Sequence, residues 1–182
     1  MIRHKLQERN MEFNKHNRLL LINQYKILAA LNKDDEASYL ELIEILESGY
    51  SIFYSMIQER ISDEMSEEKS EFVLDVLELY QLIYDAKKTT EDTRITDHHL
   101  SNFIGFDGNS EFEYRSFCQF LIETQGKFEE LKSSRNDRMN SHTKMVDTYH
   151  EMLERKGEIA SQINGRLSAD QVIYILSGEN VS

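Results

Sequence analysis

An all-α fold, an irregular bundle of seven to nine helices, is expected from three observations. The 182 residues contain no proline, 7 glycines and one cysteine; average usage would put about 5 % proline in the chain. A β-sandwich or barrel spends Gly and Pro on its many turns, and a disulfide scaffold needs paired cysteines. Apolar side chains recur at helical spacing along most of the chain, while period-2 alternation never persists for more than a few residues. Hydrophobic residues make up 40 % and aromatics 10 %, too many for a disordered chain.

Taken in order, residues 1–12 form a basic N-terminal extension and 13–182 a single domain, since no Pro-, Gly- or Ser-rich linker divides them. The charged stretch 1–17 is expected to lead as a helix into Arg18–Leu31. There Leu20, Ile27 and Leu31 form one helical stripe and Leu21, Tyr25 and Leu28 another, both expected near one side. Asn32 interrupts the pattern. Asp34 is the expected N-cap of the next helix, with Asp35 and Glu36 suited to its positive N-terminal dipole. Leu42, Ile45 and Leu46 are its apolar stripe and Gly49 its stop. Ile52, Phe53, Met56 and Ile57 mark a third helix that fades into Ser62-Asp63-Glu64.

Ser66, followed by Glu67 and Glu68, starts the longest helix. Phe72, Val73, Val76, Leu77, Tyr80, Ile83 and Tyr84 give it a wide apolar face, so it is the expected centre of the core. Lys87 and Lys88 suit its negative C-terminal dipole. A polar loop, Thr89–Asp92, precedes a short helix expected at 97–102. In Phe103-Ile104-Gly105-Phe106-Asp107-Gly108-Asn109, two glycines, an Asp and an Asn favour a turn. Asn109 or Ser110 is expected to cap a helix bearing Phe112, Phe117, Phe120, Leu121 and Ile122, which Gly126 breaks. Residues 133–140 read as a polar loop. Ser141 is the expected cap of a helix with Met145, Tyr149, Met152 and Leu153, ending at Gly157. Ser168 and Gln171 form a capping box for a last helix with Val172, Ile173, Ile175 and Leu176.

Several of these segments together resemble the YfbU-like family. They are Arg18-Leu19-Leu20-Leu21-Ile22-Asn23-Gln24-Tyr25-Lys26, Tyr39 with Glu47-Ser48-Gly49-Tyr50, the helix ending in Leu79-Tyr80, and the turn around Gly105-Phe106-Asp107. Tyr149 with Met152-Leu153, and Leu167-Ser168-Ala169, resemble its C-terminal part. The resemblance runs over about 13–177, with Met11 like the family start and Lys156 near a position where the family carries tryptophan. It implies an all-helical bacterial protein of the cytoplasm and no particular reaction.

The 21 Lys and Arg against 33 Asp and Glu leave a net charge of −12. Such a balance repels phosphate backbones on average, so DNA is not an expected partner. The charge is uneven: Arg3, Lys5, Arg9, Lys15 and Arg18 concentrate at the start, while 34–47 carry six carboxylates and no cation. A basic arm and an acidic body predict self-association into a homo-oligomer, with an unidentified protein partner as a further expectation. The first residues lack the 7–15-residue apolar stretch of a signal peptide, and no run approaches the ~18–20 residues of a membrane span. A lone cysteine suits a reducing cytoplasm. These features predict a cytoplasmic interaction or regulatory protein without a membrane partner.

Chemistry-bearing constellations are sparse. Asp107, Asn109 and Glu111 imitate the first ligands of a calcium loop, but Phe112 and Cys118 occupy the positions that need Gly and Glu. Adjacent His98 and His99 point about 100° apart on a helix. Asp147 and His150 match only one part of a paired di-metal pattern. No metal or cofactor is therefore expected. Cys118 lies among Tyr114, Leu121 and Ile122, a setting for an inert thiol. The enzyme alternative is a metal-independent ribonuclease of HEPN type, which pairs Arg and His at close spacing over a phosphodiester. Arg94/His99, Arg135/His142 and Arg9/His16 have that spacing, and Arg135 with His142 is the preferred pair; RNA is a partner only on this alternative. A small ligand near 103–109 is a third reading. Tyr50 and Tyr54, one turn apart and expected partly exposed, are interface candidates.

Overall fold

The computed structural model describes residues 13–58, 62–90, 92–132 and 138–179. The basic extension 1–12, and with it Arg9, and also Arg135 lie outside the described residues. Eight α-helices occur among those described: α1 (Lys15–Leu31), α2 (Glu36–Ser48), α3 (Tyr54–Gln58), α4 (Glu67–Lys87), α5 (Thr93–Thr96), α6 (Phe112–Gln119), α7 (Val146–Glu158) and α8 (Ala169–Ser177). The fold class is all-α, as the helical periodicity predicts.

The chain divides after Glu64 into two compact units, each with its own apolar cluster. In the first unit, α1 and α2 form a helical hairpin whose small core is Ile22, Ile43, Ile45, Leu46 and Tyr54. Asn14 caps α1, its side chain accepting from the Asn17 amide at 2.9 Å. The cap of α2 is Asp35 rather than Asp34; Asp35 accepts instead from the Asn32 side chain at 2.8 Å. Gly49 ends α2 in the left-handed region, φ 72°. A Cβ there would lie 2.4 Å from a guanidinium nitrogen of Arg18. The glycine thus serves both the turn and the seating of a cation at the negative end of α2.

The two apolar stripes of α1 do not share a side. Leu21 and Tyr25 are half-buried beside buried Ile22 and Ala29, whereas Leu20, Ile27 and Leu31 are exposed. At 100° per residue Leu20, Ile27 and Leu31 lie opposite Ile22 and Ala29.

In the second unit α4 is the central helix. Ser66 caps it, accepting from the Lys69 amide. Val73, Val76, Leu77, Leu79 and Ile83 are fully buried. These positions span an arc of about 160° on the helix, and Leu79 is covered because it stands at the edge of that arc, next to Phe72. Ion pairing of Lys69 with Glu113 ties α4 to α6. α8 carries the expected capping box of Ser168 and Gln171. The short helix expected at 97–102 instead occupies 93–96, because the Asp92 side chain accepts from the Arg94 amide at 2.9 Å and starts it there. α6 passes into a π-helical turn at 120–124 before Gly126 ends the segment. α7 begins at Val146 and runs one residue past Gly157. Ser141 does not cap it, since its hydroxyl is spent on the Thr143 carbonyl at 2.6 Å.

Candidate functional site

The 103–111 turn of the second unit is held by backbone and side-chain hydrogen bonds. Gly105 has φ 89°, and a Cβ built on it would lie 1.9 Å from the Met139 carbonyl oxygen. No side chain fits there, so glycine lets two backbone segments meet. They meet through two bonds: Phe106 donates to Met139 at 3.1 Å and Ser141 donates to Phe106 at 3.2 Å. The Tyr149 hydroxyl donates to the Gly105 carbonyl at 2.9 Å. Phe106 is fully buried, edge-on to Tyr149 at 5.3 Å and next to Phe103 at 6.1 Å.

Asp107 folds the turn by accepting from the Ser110 hydroxyl at 2.5 Å and the Ser110 amide at 3.0 Å. These bonds, the hydroxyl foremost, hold its carboxyl below the usual range, assisted by the backbone at Asn109 and by nearby His142. Gly108 donates to the Asn140 side chain at 2.9 Å. Asn109 is exposed. Neither Asn109 nor Ser110 caps α6; the capping position is Glu111.

Glu111 is the residue that sequence reasoning missed. Its buried carboxylate accepts from the Asp107 amide at 2.9 Å with one oxygen. The other accepts from the Met145 and Val146 amides, at 2.8 and 2.9 Å, at the start of α7. It therefore caps α7 from a distance of more than thirty residues in sequence, at the positive end of the helix dipole. The only signal was a carboxylate beside a turn, with nothing local to name its partner. Both acids of the failed calcium pattern thus direct their oxygens at N–H donors. The turn is a scaffold that joins α6 and α7.

The remaining candidates are accounted for by packing and pairing. Arg94 is gripped by Asp92, at 2.5 Å, and reaches Asp170 at 3.4 Å. His98 stacks on His99 with ring centroids 4.8 Å apart, and burial, followed by its neighbour's charge, pushes the His98 imidazole down. His150 stacks on Phe72 at 4.2 Å, which explains it without a metal partner at Asp147. Cys118 is buried 3.5 Å from the Met139 sulfur, and desolvation pushes its thiol upward, away from thiolate chemistry. Of the preferred ribonuclease pair only His142 is described; it is exposed, in the left-handed region at φ 57°, with its amide bonded to the Asn140 side chain. A cleft of about 480 Å³ lies beside the turn, walled by Tyr80, Tyr84, His99, Asn102, Phe103 and Glu130 among others. Many of its polar groups are already paired. Lys87 donates to Asn102 at 2.7 Å and Gln81 to Glu130 at 2.6 Å, and burial lowers the Lys87 ammonium.

The first unit differs in character. Of the large apolar side chains left exposed among the described residues, only Phe112 and Phe120 lie outside it. Leu19, Leu20, Ile27, Leu28 and Leu31 stand on α1, and Leu40 on α2. Tyr50, Ile52, Phe53 and Met56 stand on the turn and helix that follow. Tyr50 and Phe53 line a shallow depression of about 210 Å³ with Glu41, Glu44 and Ile45. Tyr54 is not at this surface as expected: it is 5 % exposed, its ring edge-on to Phe13 at 5.1 Å and its hydroxyl accepting from Arg18 at 3.4 Å. Its ring belongs to the hairpin core with Ile22, Ile43, Ile45 and Leu46.

An internally satisfied turn in the second unit and an exposed apolar hairpin in the first unit place the chain among all-α, multi-helix proteins. No described helix is long and apolar enough to cross a membrane. The YfbU domain matches residues 11–178. The chain is also similar to UPF0304 protein MJECS11 of Methanocaldococcus jannaschii, at 45 % identity over 141 residues, which are 75 % of this chain and 83 % of that protein. The protein belongs to the YfbU family.

Proposed function

We propose that this YfbU-family protein is a non-enzymatic interaction or regulatory protein that self-associates through its N-terminal hairpin. The observation that carries the reading is the crowding of exposed Leu, Ile, Phe, Tyr and Met side chains onto residues 19–56. Isolated exposed apolar residues are ordinary, but a concentration of them marks an interaction surface. Charge supports the same reading. α1 carries Lys15, Arg18 and Lys26 and no carboxylate, while α2 carries Glu36, Glu41, Glu44 and Glu47 and no cation. Lys26 and Glu47 pair within the hairpin, and the charges beyond that pair act at longer range, steering two copies together. Of the Arg/His pairs behind the ribonuclease alternative, Arg94 is held by two carboxylates.

Light scattering over a concentration series at low and moderate salt tests the proposal. A mass above 21.5 kDa that rises with concentration is expected. A mass that stays at 21.5 kDa throughout overturns it.

A further inference from the structure

The outer face of α1 nearly matches itself when reversed about Gln24, the counterpart of Ile27 being half-buried Leu21. Asn17, Leu20, Gln24, Ile27 and Leu31 are spaced three, four, three and four residues apart, the spacing of the apolar seam in paired helices. All five are exposed, with Leu20 at 50 %, Ile27 at 60 % and Leu31 at 79 %. Counting outward from Gln24, the positions three residues to either side are Ile27 and Leu21, and those four to either side are Leu28 and Leu20. Those seven to either side are Leu31 and Asn17. Against a reversed copy, Leu20 therefore faces the level of Leu28 and Ile27, and Leu31 that of Asn17, with Gln24 opposite itself.

The flanks of this stripe are His16, Asn23, Leu28 and Ala30, with no Asp, Glu, Lys or Arg among them. In a chain that is 30 % charged, an exposed stripe free of such residues is unsuited to solvent and suited to an identical stripe. The cations of α1 lie off it: Lys26 pairs with Glu47 at 2.9 Å, and Arg18 packs at Gly49. Two copies can approach along this face without bringing like charges together.

We infer that a second copy of this chain docks on the outer face of α1, the two α1 helices running antiparallel across a two-fold axis that passes beside Gln24. This rests on the self-association proposed above and names its surface. In such an isologous contact a residue at the axis meets its own twin. A single polar residue within an apolar seam fixes register, and paired Gln24 amides, each able to donate and accept, fill that role. Asn17, seven residues away, lies about 21 Å from its twin, at 1.5 Å rise per residue over twice that separation.

Cysteine cross-linking of the full chain, run beside light scattering on the same samples, tests the arrangement. Gln24→Cys is expected to form a disulfide-linked dimer under mild oxidation, while Asn17→Cys alone is not. A mixture of Asn17→Cys and Leu31→Cys proteins is expected to cross-link to each other. Cys118 is buried and does not compete. A wild-type protein that is dimeric by mass but shows no link at Gln24→Cys overturns this surface and leaves self-association standing. Linkage of Asn17→Cys to itself overturns the antiparallel direction. A mass of one chain at every concentration overturns both inferences.

Discussion

Gly105, Asp107 and Glu111 show how single residues set the geometry of the second unit. Gly105 permits a backbone contact that a methyl group would block, with 1.9 Å to the Met139 oxygen. Relief would require the two segments to separate and break the bonds between Phe106, Met139 and Ser141. Gly105→Ala is therefore expected to destabilise the protein by about 3 kcal/mol, seen as a Tm lower by roughly 10 °C; an unchanged Tm would refute the packing argument. Asp107 supplies a pH dependence. Its folded-state value lies below the ordinary 3.8, so the unfolded chain binds its proton more readily. The stability it contributes is present above that ordinary value and is lost as pH falls through the lower, folded one. Thermal melts between about pH 5 and pH 2.5 are expected to show a steeper acid loss in the wild type than in Asp107→Asn, the difference isolating this carboxyl from the others.

The helices were legible to different depths. Ser66 and Ser168 announce α4 and α8 because the capping hydroxyl and the amide that donates to it are three residues apart, a local pattern that sequence displays. α2 and α7 were less legible at their starts. Asp35 replaces Asp34, and α7 takes its cap from Glu111, some 34 residues upstream. α1 is the instructive case, since it carries apolar residues on two faces and periodicity alone does not say which is inward. Packing against α2 buries Ile22 and half-buries Leu21 and Tyr25, leaving Leu20, Ile27 and Leu31 outside. If that outer stripe is the dimer seam, Ile27→Glu places a charge in it from each copy. Sedimentation is expected to show dimer dissociation at least tenfold stronger, while the melting temperature of the monomeric state changes little because residue 27 is 60 % exposed. Unchanged association in this variant would count against the stripe.

At the scale of the molecule, the two cores explain why the exposed apolar side chains are so unevenly placed. The hairpin's cluster rests on five buried residues, Ile22, Ile43, Ile45, Leu46 and Tyr54, and the α4-centred cluster is far larger. A small core covers little of the apolar surface of the helices that form it, so the hairpin retains side chains that a second copy can cover. The sequence by itself determined the all-α class, because helical periodicity, empty proline usage and local caps are encoded within a few residues of one another. It also determined the family, through motifs spread in order along the chain. Only the tertiary structure decided that Gly105 and Met139 touch, that Glu111 serves the α7 terminus, that Tyr54 fills a core while Tyr50 faces solvent, and that α1 turns one of its two apolar stripes outward. Each of those depends on contacts between segments distant in sequence, where the energy lies in packing and in satisfying buried N–H groups, and neither leaves a periodic trace in the chain.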